Sequence, residues 1–277
     1  MATYDFDYYQ PKSIQEATSL FHALKLEGKS PKYFSGGTEI ITLGRLNVVY
    51  TDAVIDLKGI PEYEVLYSSE SRLIVGGGLS IVQIEESNPF PLLSKTSSEI
   101  ADHTSRTKIT IGGNICAEIY YREAVLPFLL SDSILMIAGF DGIKFFPIHQ
   151  VFDRYLHLNE GSFLVQVSTD RKFIEAPYVS IKRRRQWNTG YPLITVAALK
   201  IDNQIRVAIS GLCPFPFRAF EMEEHLNNDQ LTMDEKIEDA ILHLPSPILN
   251  DTEGSSEYRL FVLKNILFDI LIELEKG

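Results

Sequence analysis

Thr110-Ile111-Gly112-Gly113-Asn114 and Ser35-Gly36-Gly37-Thr38-Glu39 are two paired-glycine bends, each closing an apolar run and each leading into helix-like sequence. Tyr33-Phe34 precedes the first, and Ile109 to Ile111 surround the second. Glycine pairs let the backbone turn tightly and approach a ligand where a Cβ would intrude. Successive N–H groups of such a bend point into a concavity that suits an anion, phosphate above all. Either bend alone is an ordinary turn. Two of them, each with a hydroxyl residue beside the glycines (Thr38, Thr110), predict a cradle for a diphosphate. Gly76-Gly77-Gly78, after Leu73-Ile74-Val75, is a candidate for a third close approach.

The spacing excludes the commonest diphosphate cradles, since no Gly-x-Gly-x-x-Gly follows the first strand and no P-loop is present. At 277 residues the chain can bury roughly three quarters of its unfolded surface, enough for two cores. A hydrophobic fraction of 45% and a charged fraction of 23% are ordinary for a globular protein. The formal net charge of −11 argues against nucleic acid and anionic membrane as partners. No basic-then-apolar leader opens the sequence, and Ser131-Asp132-Ser133 breaks the most apolar stretch, Ala124 to Phe140. A cytoplasmic protein is expected. Cys116 and Cys213 fall short of the ligand set of a [2Fe–2S] cluster, and the histidines show no paired ligand spacing. No metal centre is expected within the chain.

Ser13-Ile14-Gln15-Glu16 has the form of a capping box, with Ile14, Ala17, Leu20, Phe21 and Leu24 at helical spacing and Gly28 closing the helix. Pro31 to Phe34 and Ala53 to Leu57 read as strands, which makes the start of the chain a small α/β unit. Leu73 to Gly76 reads as a strand, and Ile81 to Asn88, Leu92 to Asp102 and Tyr121 to Leu130 as helices. Ile134 to Ile137 and Phe163 to Val167 are further strands. The polar run Ser168-Thr169-Asp170-Arg171-Lys172 marks a domain boundary. Beyond it, Ile194 to Ile201 and Ile205 to Ile209 alternate about Asp202-Asn203-Gln204, a hairpin signal, and three helices follow. The last, Glu257 to Glu275, sets Leu260, Leu263, Leu267, Ile270, Leu271 and Leu274 mostly on one stripe. Lys264, Asp269 and Glu273 mark that stripe as core-facing rather than membrane-embedded.

Tyr33 to Ile40, Val54 to Ile60, Leu73 to Gly78 and Arg106 to Cys116, in that order, resemble the flavin subunit of molybdenum hydroxylases of the xanthine dehydrogenase and carbon monoxide dehydrogenase type. Gly142 to Pro147, Arg206 to Gly211, Pro216 to Ala219 and Glu257-Tyr258-Arg259 extend the resemblance over nearly the whole chain. It implies an α+β fold. A vanillyl-alcohol oxidase-like FAD-binding domain, residues 1–170, would contain two α/β subdomains (about 1–58 and 59–170). A C-terminal domain, residues 171–277, would carry a small antiparallel sheet and a helix bundle. The implied activity is that of an oxidoreductase acting as an electron relay. Non-covalent FAD would take electrons from [2Fe–2S] clusters in a small partner subunit and pass them to NAD+ or another acceptor. The molybdenum cofactor would reside in a large partner subunit, in a heterotrimer or its dimer, with an obligate interface of about 2,000 Å² or more. Xanthine or another purine is the expected substrate of the whole enzyme.

Carried onto this sequence, the resemblance has Phe34, Ser35, Gly36, Gly37, Thr38, Glu39 and Ile40 wrapping the diphosphate from one side. Thr110, Gly112, Gly113 and Asn114 hold it from the other. Amides and hydroxyls can meet a doubly charged group without placing a full positive charge there. Ionised Glu39 would instead organise the loop or accept from a sugar hydroxyl. Ala101 and Cys116 are further cofactor-binding positions by the same resemblance, and Phe163 and Leu164 match positions against the flavin or its adenosine half. Glu123 stands where the family has an aspartate that binds the adenosine portion. Lys182 resembles a lysine near the isoalloxazine or nicotinamide, where a cation stabilises negative charge on the reduced ring. Its alternative reading is a member of a solvated basic strand with Arg183, Arg184 and Arg185. The chain departs from the family where Ile119-Tyr120-Tyr121-Arg122-Glu123 replaces Ser-Pro-x-x-Asp. That departure leaves open a flavin-free structural subunit. Flavin-dependent reductases of cell-wall precursor synthesis share the flavin fold, but Arg206 to Gly211 and Glu257 to Arg259 argue against them.

Overall fold

A computed structural model describes residues 5–185 and 191–275. Two units interleave along the sequence. One comprises Met1–Ser87, His103–Ala117 and Ser133–Thr169, the other Asn88–Asp102, Glu118–Asp132 and Asp170–Gly277.

In the first unit, β1 (Asp7–Tyr9), β2 (Pro31–Phe34) and β3 (Ala53–Asp56) form a parallel sheet in the order β1-β3-β2. Parallel neighbours need crossovers, and the helices Ile14–Leu26 and Thr38–Arg45 supply them. The first helix begins at Ser13, whose hydroxyl accepts from the Glu16 amide at 3.1 Å. The Glu16 carboxylate accepts from the Lys12 amide, one residue earlier than a strict capping box requires. Gly28, at φ +82°, turns the chain out of the helix. Ala17, Leu24, Ala53, Ile55, Leu57, Tyr63, Phe163 and Val165 share one core. A second sheet has the order β4-β5-β8-β6-β7, from Leu66–Ser68 (β4), Arg72–Gly76 (β5), Ile134–Gly139 (β6), Gly142–Pro147 (β7) and Phe163–Asp170 (β8).

The second unit holds an antiparallel sheet in the order β12-β11-β10-β9, from Tyr178–Arg183 (β9), Ile194–Ile201 (β10), Gln204–Ser210 (β11) and Phe217–Arg218 (β12). Asp202 and Asn203 both take positive φ, +51° and +58°, so the hairpin turns on two residues and Gln204 already pairs with Ile201. The helices Phe220–Leu226, Met233–Leu242 and Ser256–Glu275 pack on this sheet, Met222, Ile237, Leu263, Leu267 and Ile270 meeting Val196, Val207 and Ile209. The α+β class is as expected from sequence. Among the described residues no helix is long and apolar enough to cross a membrane.

Two expected helices are shorter than anticipated. The one expected over Tyr121 to Leu130 is a 3-10 turn, Glu123–Val125, followed by a helix only over Leu126–Leu130. Pro127 explains the late start, because a proline is tolerated in the first turn and not deeper. The one expected over Leu92 to Asp102 ends at Ser98, and Ala101 beyond it sits at φ +46°.

The motif arginines of the C-terminal region are structural ties within this unit. Arg206 and Arg218 both bind the Asp132 carboxylate, at 2.5 and 2.7 Å, and Arg218 also clamps Glu223 at 2.8 Å. Arg259, fully buried, donates to the carbonyls of Leu193 and Gly211 and pairs with Asp251 at 2.6 Å. Asp132→Ala strips two arginines of their shared partner, and the Arg218 side chain is only 6% exposed. Urea unfolding should show a loss of about 1–3 kcal/mol; an unchanged midpoint would mean that the pairing adds nothing to stability.

Candidate functional site

Ser35-Gly36-Gly37 joins the C-terminal end of β2 to the helix Thr38–Arg45. Gly37 lies at φ +71°, and a Cβ there would stand 2.1 Å from the Phe34 ring. A Cβ on Gly36 would stand 1.9 Å from the Lys108 carbonyl oxygen. The two bends therefore touch, main chain against main chain. The helix has no side-chain cap, and the amides of Gly36, Gly37 and Thr38 have no acceptor among the described residues. Such amides, with the helix dipole behind them, form an anion site. Behind the bend, Lys58 Nζ donates to Ser35 O and to Asp56 Oδ1, both at 2.7 Å, and lies 4.9 Å from the Phe34 ring centre. Glu39 and Ile40, in the first helical turn, are half-buried.

The second bend is built differently from expectation. Thr110 caps the short helix Ile111–Cys116, its Oγ1 accepting from the Gly113 amide at 3.1 Å. The Ile111 amide donates to Leu79 O, that of Gly112 to Gly77 O and that of Asn114 to Thr110 O, at 2.8–2.9 Å. All four amides are committed within the protein, because Gly112 packs directly on the Gly77 backbone. What remains toward a ligand is the Thr110 hydroxyl and the space at Gly113. There a Cβ would meet only Thr110 Oγ1, at 2.8 Å. The Gly76 to Gly78 amides likewise bond to Val65, Val165 and Tyr63 carbonyls. That third approach is chain against chain.

Hydroxyls link the bends. Ser35 Oγ and Thr110 Oγ1 lie 2.7 Å apart, and Tyr63 donates its phenol hydrogen to Ser35 Oγ at 2.9 Å. Sequence reasoning missed both Lys58 and Tyr63 as site residues. Lys58 had a signal: it follows a buried parallel strand beside the one that carries the first bend, at the carboxyl edge where open α/β sheets bind ligands. Tyr63 had none.

The other expected positions divide between the units. Phe163 and Leu164 are buried in the first, with the Phe163 ring 4.8 Å from Tyr33 and 6.3 Å from Tyr63, centre to centre. Asn114 is buried there too, and Cys116 presents an exposed thiol. Ala101, Glu123 and Lys182 belong to the second unit. Lys182 Nζ donates to Glu123 Oε1 at 2.8 Å and to Glu99 O at 2.5 Å. Their side chains are 4% and 2% exposed, so Lys182 is no part of a solvated strand face.

The amides and the hydroxyl pair suit a diphosphate, and the space at Gly113 is one that a Cβ would fill. Residues 4–169 match the family model described as the FAD binding domain in molybdopterin dehydrogenase. The nicotinate dehydrogenase FAD-subunit of Eubacterium barkeri is 26% identical, over 99% of this chain and 98% of that protein. The xanthine dehydrogenase FAD-binding subunit of Escherichia coli O157:H7 is 23% identical, over 94% and 95%. A solved carbon monoxide dehydrogenase from Hydrogenophaga pseudoflava, lacking the Mo-pyranopterin moiety of its molybdenum cofactor, superposes with a TM-score of 0.87 at 21% identity. It covers 100% of this chain and 99% of that one, a likeness of fold.

Glu123→Gln leaves the Lys182 ammonium buried without its counter-charge. The cofactor-free protein should lose about 3–5 kcal/mol in chemical denaturation, and adding Lys182→Met should restore most of it. Unchanged stability in the single variant would show that the pair is not a structural tie.

Proposed function

The chain belongs to the family of FAD-binding domains of molybdopterin dehydrogenases, and on that footing we propose that it is the flavin subunit of a heteromeric molybdenum hydroxylase, relaying electrons from [2Fe–2S] clusters of a partner to NAD+ or another acceptor. The first bend carries this reading: the uncapped amides of Gly36, Gly37 and Thr38 follow directly on Ser35, whose hydroxyl lies 2.7 Å from that of Thr110. Non-covalently bound FAD would supply two-electron storage between one-electron carriers and a hydride acceptor. The protein's part is to hold it. Phe34 to Ile40, with Thr110, Gly112, Gly113 and Asn114, are assigned to the diphosphate: the amides of Gly36, Gly37 and Thr38 and the Thr110 hydroxyl would donate to its oxygens, Glu39 would organise the loop, and Gly112, Gly113 and Asn114, whose amides are bonded within the protein, would leave it room. Ala101, Cys116, Glu123, Phe163, Leu164 and Lys182 are assigned to the remainder of the cofactor. Glu123 and Lys182 enter as a paired, mutually neutralised unit.

Residues 1–170 are assigned as the FAD-binding domain, with subdomains about 1–58 and 59–170, and residues 171–277 as the C-terminal domain. The family match over 4–169 supports the first boundary. A purine such as xanthine is the proposed substrate of the whole enzyme. The relatives named for nicotinate and xanthine, both nitrogen heterocycles, support that choice. Both names also call the relative a subunit, which supports separate molybdenum-bearing and iron–sulfur partners in a heterotrimer or its dimer. The cytoplasm is the proposed location.

The purified full chain should be yellow and release FAD, near one equivalent, on heating. Protein that takes up no FAD, or colour that stays with the denatured chain, would refute the reading. Gly113→Val drives a side chain into the Thr110 hydroxyl and should lower FAD content by about tenfold or more with circular dichroism unchanged; wild-type content would refute the assigned cradle. With NADH, the FAD-loaded chain should reduce an artificial acceptor yet leave purines untouched. Purine oxidation by this chain alone would contradict the relay.

A further inference from the structure

We propose that Tyr63 is a positioning residue for the diphosphate, its hydroxyl ordering Ser35 and Thr110 so that their one spare hydrogen is presented to a phosphate oxygen; this rests on the FAD-subunit reading above. Tyr63 ends the 3-10 turn Pro61–Tyr63 and is 2% exposed. Its ring is a wedge among glycines. A Cβ at Gly77 or at Gly78 would lie 2.6 Å from a ring carbon, and one at Gly112 would lie 3.1 Å from the phenol oxygen. The Tyr63 carbonyl accepts from the Gly78 amide at 2.7 Å. The turns at Gly76 to Gly78 and at Gly112 thus pack on this one side chain, and its hydroxyl reaches Ser35 of the first bend. A phenylalanine would fill the same space, so the hydroxyl needs its own account.

Counting hydrogens supplies it. Tyr63, Ser35 and Thr110 bring three hydroxyl hydrogens to a chain with two oxygen–oxygen links. One hydrogen lies in the Tyr63 to Ser35 link and one between Ser35 and Thr110. The third has no acceptor among the described residues. Hydroxyl chains strengthen when every bond runs the same way, because an oxygen that accepts donates better. Tyr63 to Ser35 to Thr110 is that direction. It leaves the spare hydrogen on Thr110, whose oxygen is further polarised by the Gly113 amide. Burial pushes the Tyr63 phenol well above its ordinary range, so it remains a donor at any physiological pH. Without Tyr63 the Ser35–Thr110 pair is free to run in either sense.

The test measures FAD dissociation constants for the full chain stripped of cofactor, in wild type, Tyr63→Phe, Ser35→Ala and the double variant. Tyr63→Phe should weaken FAD about three- to tenfold, and Ser35→Ala at least as much. The double variant should bind no worse than Ser35→Ala, because Tyr63 acts through Ser35; a purely space-filling role would make the losses multiply. Wild-type affinity in Tyr63→Phe, or multiplying losses, overturns the proposal while leaving the FAD-subunit reading intact. Should Tyr63→Phe fail to fold, a folded Ser35→Ala variant with wild-type affinity overturns it equally. A wild-type chain that takes up no FAD removes the functional reading and this inference together.

Discussion

A carbonyl oxygen, that of Lys108, occupies the place where a side chain on residue 36 would begin. The rest of the candidate site follows from that contact. Because the first bend lies flat on the second, Ser35 reaches Thr110 at 2.7 Å, and the head of the helix Thr38–Arg45 is left without a side-chain cap. Any side chain at residue 36 would push the bends apart and break the hydroxyl link. The glycines are therefore required first by the protein's own packing, and the anion site is a consequence of where that packing leaves the amides.

That ordering explains what was legible in the sequence and what was not. Glycine pairs after apolar runs announced tight bends, and both bends exist where they were read. Which amides stay open was not legible. At the first bend they have no acceptor among the described residues, whereas at the second each meets a carbonyl from Leu79, Gly77 or Thr110, or the Thr110 hydroxyl. The Thr110 partners are local, the cap and first bond of the helix, but the Leu79 and Gly77 carbonyls come from a distant turn that periodicity does not encode. The long C-terminal helix and the Asp202-Asn203 hairpin were legible because they depend on local pattern and turn chemistry. The helix expected from Tyr121 starts only at Leu126, because Pro127 must lie in its first turn however helix-compatible the apolar run before it.

The resemblance motifs carried two kinds of information. Those near the N-terminus fell on the bends. Those near the C-terminus, around Arg206, Arg218 and Arg259, fell on residues that bind carbonyls and carboxylates of their own unit. A motif can recur in a family because a buried arginine must satisfy several carbonyls at once, with no cofactor involved. Lys182 shows the same ambiguity in one residue: the resemblance implies a charge facing a ring, and the side chain is a buried ammonium whose charge Glu123 already answers.

The electrostatics behind the first bend favour dipoles over net charge. Lys58 brings a cation to the Ser35 carbonyl, yet Asp56, 3% exposed, sits 2.7 Å from it. Asp56 in turn accepts from the Tyr8 phenol at 2.5 Å, a hydrogen bond to a carboxylate that pushes the phenol up to about 12. Lys58 and Asp56 thus offset one another. An anion settling on the bend would then be held by oriented amides and a hydroxyl, whose attraction fades quickly with distance, rather than by a monopole. Held by such short-range donors, a phosphate must fit the bend's geometry to be retained, which makes the direction of each hydroxyl hydrogen matter more than it would beside an unpaired lysine.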